Sequence, residues 1–130
     1  MRTLENDELQ AMAIFENILK AHVRDCILDD ESIYYIAEAG SSLGKKVMLI
    51  KKLQERVQKK IRVFEFSDDN ERFVKNMIPR AKKIEIMGKR AVVTLEDEDK
   101  AMTIGKNGSN IKKIRLLLAR NSPIEGVDIK

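Results

Sequence analysis

Apolar residues along this chain switch between helical and extended spacing in a set order, and that order then runs a second time. A repeat of this kind constrains the fold more than any single residue, because each copy must build the same layered unit. In the first copy, Ala11, Met12, Phe15, Ile18 and Leu19 recur at helical spacing over residues 6–20. Val23 to Leu28 and Ser32 to Ala37 are rich in Val, Ile and Tyr, and predict two strands joined by Asp29-Asp30-Glu31. Val47, Ile50, Leu53 and Val57 return to the helical period. Ile61 to Phe66 then alternate, with Ile61 and Val63 on one face and Phe64 and Phe66 on the other.

The second copy starts at Ser67-Asp68-Asp69-Asn70-Glu71. There Ser67 or Asp68 can accept from free helix amides, and Asp68 with Glu71 fits a capping box. Phe73, Val74, Met77 and Ile78 form its apolar stripe, and Pro79 stops the helix. Lys83 to Met87 and Ala91 to Leu95 predict a hairpin around Gly88-Lys89. A short helix from Glu98 to Ile104 follows, then a helix from Ser109 to Arg120 with Ile111, Ile114, Leu117 and Leu118 inward. Val127 to Lys130 complete the copy as a strand.

Each copy therefore reads helix, strand, strand, short helix, helix, strand, repeating after about 60 residues. The expectation is an α+β fold, an α/β sandwich of two units over residues 1–67 and 68–130, each a three-stranded sheet packed on helices. The junction at Ser67 has no Gly- or Pro-rich padding and is expected to be stiff. Units of this size are marginal alone, so packing of one on the other is expected, with no further subunit needed: a monomer.

Charge separates along the chain. Residues 1–44 hold 3 Lys or Arg against 9 Asp or Glu, a net of −6, and residues 45–130 hold 22 against 12, a net of +10. A basic C-terminal two-thirds suits a polyanionic partner, although lysine doublets also decorate any solvated helix. The apolar runs are too short to span a membrane. The first twenty residues lack the pattern of a secretion signal, and the lone Cys26 has no internal partner, so the protein is expected in the cytoplasm.

One stretch points to chemistry. Ile104-Gly105-Lys106-Asn107-Gly108-Ser109-Asn110-Ile111 sets two glycines three apart between two helical segments. A tight turn there leaves unpaired amides at the start of the second helix, where a phosphate is favoured. Gly105 and Gly108 admit close backbone approach, Lys106 adds charge and Asn107 tolerates turn dihedrals. Ile104 and Ile111 would floor a groove, and Lys112, Lys113 and Arg115 would extend the positive surface, with a role in the core as the plainer account of Ile111. Only 5% of residues are aromatic and tryptophan is absent, which disfavours a stacking platform.

Other signals carry less. Gly40-Ser41-Ser42-Leu43-Gly44-Lys45-Lys46 has three residues between its glycines and no Ser or Thr after the lysine, so it fails as a nucleotide-binding P-loop. His22 and Cys26 lack further metal partners, and Glu96-Asp97-Glu98-Asp99 reads as a helix start. With no nucleophile–base arrangement, the reading is a non-enzyme with no metal or cofactor.

The 104–111 run resembles the GXXG loop of a type II KH module. The stretch Ile61 to Asp69, followed by Phe73-Val74-Lys75-Asn76, Pro79 and Ala81-Lys82, resembles the join between paired KH modules in the NusA family of transcription termination and elongation factors. The resemblance covers residues 6–130 and is to the short archaeal form. It implies two tandem type II KH modules that hold about four nucleotides of single-stranded RNA per groove. It implies an RNA-binding site at Ile104, Gly105, Lys106, Asn107, Gly108, Ser109, Ile111, Lys112 and Lys113, and a counterpart at Leu43, Gly44, Lys45 and Lys46. The first copy departs from the pattern: Val47 stands where the second glycine belongs, which hinders the turn while Lys45 and Lys46 supply charge. RNA polymerase is implied as a further partner. The alternatives are a KH protein of ribosome assembly or translation, and a module that docks on polymerase rather than RNA.

Overall fold

The computed structural model describes residues 6–130. Its chain divides into two units, Met1–Phe66 and Ser67–Lys130. The α+β class and the three-stranded sheets packed on helices are as the sequence predicts.

The first unit contains α1 (Asn6–Leu19), β1 (Val23–Leu28), β2 (Ser32–Ala37), α2 (Val47–Val57) and β3 (Lys60–Glu65). Its sheet runs β1-β2-β3, with β1 and β2 antiparallel and β2 and β3 parallel. Ala11, Phe15 and Leu19 lie on one stripe of α1 and bury against Cys26, Ile33, Tyr35 and Leu53. The Phe15 and Tyr35 rings sit 4.7 Å apart, and the Tyr35 hydroxyl donates to the Ala11 carbonyl at 2.9 Å. Burial, with a smaller contribution from Cys26, pushes the Tyr35 phenol well above its ordinary range, so it stays a donor. Ile61 and Val63 face this core, while Tyr34, Ile36 and Phe64 are buried on the other face of the sheet.

The second unit contains α3 (Asn70–Met77), β4 (Lys83–Met87), β5 (Arg90–Thr94), α4 (Asp97–Ile104), α5 (Ser109–Asn121) and β6 (Gly126–Ile129). Its sheet order, β4-β5-β6, repeats the pattern of the first, antiparallel then parallel. Phe73, Met77 and Ile78 from the α3 segment and Ile114, Leu117 and Leu118 from α5 are fully buried, as are Ala91, Val93 and Val127 of the sheet.

Two expectations are corrected. The cap of α3 is Asp69, whose carboxylate accepts from the Arg72 amide at 3.0 Å; the Ser67 hydroxyl instead accepts from the Asp69 amide at 3.2 Å. The acids Asp68 and Asp69 are adjacent and chemically equal, and the cap falls one residue later because the helix does. The first unit also lacks the short helix predicted before its loop. Only a 3-10 turn, Leu43–Lys45, lies between β2 and α2. Gly40-Ser41-Ser42 disfavours helix, and the connection is five residues shorter than the one that holds α4 in the second unit.

Candidate nucleic-acid interface

Helix α4 opens with Asp97, Glu98 and Asp99 in its first turn, where acids suit the positive helix end. It closes where Gly105 leaves helical dihedrals at φ 77° and ψ 171°, with the Gly105 amide donating to Ala101 at 2.9 Å. A 3-10 turn over Lys106–Gly108 follows, in which the Gly108 amide donates to the Gly105 carbonyl at 3.1 Å and the Ser109 amide to the Lys106 carbonyl. Asn107 takes φ 57° and Gly108 φ 74°, left-handed values that an Asn and a Gly accept.

Of the amides over 105–108, those of Gly105 and Gly108 are satisfied inside the turn. Among the described residues the apex amides of Lys106 and Asn107 find no backbone acceptor in the turn, and both residues are exposed. The 3-10 turn closes before α5 begins, so these donors lie at the bend itself.

The two glycines have different jobs. A Cβ on Gly105 would lie 2.7 Å from the Asn110 Cβ and 2.9 Å from its backbone nitrogen. A Cβ on Gly108 would meet only the end of the Lys112 side chain, at 3.8 Å. Gly105 is thus demanded by internal packing, and Gly108 by its dihedral angles while its surface stays open. Asn110 is the residue that sequence reasoning missed. It is buried, and its amide donates to the Thr103 carbonyl at 2.6 Å, satisfying an orphan acceptor in the last turn of α4. The signal was legible: a polar residue on the inward phase of α5, one turn before Ile114.

Ile104 is 37% exposed beside the turn, but Ile111 is 4% exposed and belongs to the core. Ile111 shares its helical phase with Ile114 and Leu118, so its role is in the core, the plainer of the two accounts, and of the two isoleucines Ile104 alone keeps an exposed side chain. Ser109 and Lys112 are exposed and Lys113 is half-buried. Arg115 turns from the loop toward β6, donating to the Val127 carbonyl at 2.8 and 3.2 Å.

The counterpart in the first unit is built differently. Ser42 carries the left-handed φ of 54°, and Gly44 is not among the positive-φ residues and has open space where a Cβ would sit. Matching inward positions, Leu53 with Ile114 and Val57 with Leu118, places Val47 opposite Gly108. Val47 is simply the first residue of α2. Leu43 is half-buried and Lys45 exposed, but Lys46 donates through Nζ to the Leu19 carbonyl at 3.1 Å. That contact puts a cation at the C-terminal end of α1, which has no basic residue in its own last turn. Lys46→Met is expected to lower unfolding stability by about 1 kcal/mol in urea melts, and no loss would show the contact to be idle.

Three of the four acids in the run form ion pairs, Glu96 with Lys82 at 2.7 Å, Asp97 with Lys100 at 3.0 Å and Asp99 with Arg80 at 4.0 Å, and Glu98 lies in the first turn of α4. Cys26 is buried and His22 exposed. Among the described residues no group of three His, Cys, Asp or Glu could hold a metal ion, and no helix is long and apolar enough to cross a membrane.

Comparison with known proteins converges on the same region. The KH domain family matches residues 70–130, which hold the Gly105–Gly108 turn. A protein of Methanocaldococcus jannaschii named "Probable transcription termination protein NusA" is 24% identical over 97% of this chain and 74% of its own length. Proteins of the same name from Halococcus morrhuae and Thermoplasma acidophilum are 27% and 28% identical, each over 98% of this chain and 97% and 95% of theirs. The crystal structure of APE1850 is 30% identical, with a TM-score of 0.70 over 98% of this chain and 100% of that one. With a KH match over residues 70–130 and relatives of one name aligned along nearly its whole length, the chain is similar to archaeal NusA-like proteins that carry a KH domain.

Proposed function

We propose that this protein binds single-stranded RNA and acts on nascent transcripts during elongation, termination or antitermination. The observation that carries the RNA-binding part is the turn at Lys106-Asn107. Two amides with no acceptor in the turn, an exposed lysine and an open glycine stand together at the start of α5, an arrangement suited to a phosphate. The transcription part is supported by the names of the relatives. In this reading the second unit is a KH module with a working loop. The first, which repeats its sheet order, is a KH module whose loop has lost the glycine turn.

Bases held beside such a turn must be unpaired, since a duplex hides their edges. The test is a selection of bound RNAs from a random pool, followed by affinity measurements across salt concentrations. Contacts to about four phosphates predict a log–log salt slope near −3 or steeper, from roughly 0.7 per phosphate on single strands. A flat salt response would remove phosphate contact from the mechanism. Crosslinking in cells tests the transcription part: reads spread over many transcripts are expected, and reads at one place in ribosomal RNA would overturn it.

A further inference from the structure

We propose that Asn107 is a site of spontaneous deamidation, through which the turn at 105–108 converts itself from a cationic phosphate site into one that carries an anion. The consequence rests on the RNA-binding reading above, whereas the chemistry stands without it. Asn107 is the one asparagine of the chain that is followed by glycine. The others precede Asp, Glu, Ile, Met or Ser, whose side chains hinder attack by the next backbone nitrogen. Gly108 has no such screen: a Cβ there would meet only the Lys112 Cε, at 3.8 Å. Asn107 itself is exposed at the apex.

Water is the only co-reactant. The Gly108 backbone nitrogen gives its proton to hydroxide and attacks Asn107 Cγ. A C–N bond forms, the Cγ–Nδ2 bond breaks, and the side-chain nitrogen leaves as ammonia with a proton from water, which restores the hydroxide. The five-membered succinimide then takes up one water and opens at either carbonyl, to aspartate or to isoaspartate. The positive field of Lys106 and of Lys112, whose side chain ends beside Gly108, favours the deprotonated nitrogen.

Closed, the turn holds this reaction back. The Gly108 amide already donates to the Gly105 carbonyl at 3.1 Å. At the Asn107 ψ of 25° the Gly108 nitrogen lies nearly anti to the Asn107 Cβ about the Cα–C bond, whereas ring closure needs the two eclipsed. Rotation of ψ must come first, and it breaks the bond to Gly105. A bend closed by short-range bonds at an exposed apex opens locally, without unfolding of the unit. Either product then places a carboxylate at the apex, beside the lysine and the amides proposed to receive a phosphate. Isoaspartate also lengthens the backbone by one atom, so the bond from Gly108 to Gly105 loses its spacing.

The full chain is aged at neutral and at alkaline pH and mapped by peptide mass spectrometry, with fragmentation that separates aspartate from isoaspartate. The mass gain of deamidation is expected at Asn107 ahead of every other asparagine, as a mixture of both acids, and faster at the higher pH. The native rate should be at least about tenfold below that of the chain unfolded in urea, because the turn must open first. The deamidated fraction, separated by ion exchange, should bind labelled polyuridylate at least about tenfold more weakly than fresh chain, as should Asn107→Asp. Asn107→Gln, whose closure needs a larger ring, should keep its affinity through the same ageing. A native chain that stays intact at Asn107 while the unfolded chain reacts, or that reacts first elsewhere, would overturn the proposal. Equal rates in the native and unfolded chains would overturn the guarding role of the turn. A deamidated fraction that binds as tightly as fresh chain would overturn the link to RNA. Fresh chain that ignores polyuridylate would overturn the RNA-binding reading itself, while the mass change still decides the chemistry.

Discussion

Gly105→Ala should destabilise the second unit by about 3 kcal/mol or more, combining a dihedral region nearly reserved for glycine with overpacking of a filled site. Both parts are visible at one residue. At φ 77° and ψ 171° an alanine is strained wherever it sits, and its methyl group would enter the space of the Asn110 Cβ and backbone nitrogen. Neither neighbour can yield: Asn110 is buried and tied to Thr103, and its backbone belongs to the first turn of α5. Gly108→Ala is the control. Its φ of 74° and ψ of 13° lie near the left-handed helical well, and its methyl would meet only a lysine tip. That change should cost about 1 kcal/mol. Denaturant melts of the two variants decide the matter, and equal losses would mean that the fit between Gly105 and Asn110 has no energetic weight.

Lys106→Asp combined with Asn107→Asp should weaken RNA binding at least about a hundredfold, or roughly 2.7 kcal/mol, while leaving the melting temperature near that of the parent. The pair replaces one cation with two anions beside the amides proposed to receive the phosphate. Repulsion then acts on the same atoms that attraction would have held. The fold should tolerate it, because both side chains are exposed and aspartate accepts the φ of 57° seen at Asn107. Gel-shift titration beside a thermal melt separates the two effects. Retained affinity in a folded double variant would take the turn out of the mechanism.

The two units also show how one architecture tolerates the loss of a loop. In the second unit the connection from β5 to α5 is long enough to fold α4, and the glycine turn then links two helices. In the first unit the shorter connection holds only a 3-10 turn, Val47 starts α2 directly, and Gly44 has no dihedral need to be glycine. Lys46 has become a structural cation for α1. A β-branched residue at the position matching Gly108 is then unstrained, since the left-handed bend it would have opposed is absent.

Most of the architecture was legible because it is local. The apolar stripe of α1, the strands at Val23–Leu28 and Ser32–Ala37, the stop at Pro79 and the glycine pair are all properties of spacing within one segment. The α+β class follows from them, since faces that are apolar at period 2 and period 3.6 must cover each other. What spacing could not carry is who meets whom. That Asn110 closes on Gly105 and that Lys46 reaches the end of α1 depend on contacts between segments. Periodicity says which side of an element is apolar, whereas a side chain's partner is chosen by the packing of the whole unit, and only the tertiary structure decides it.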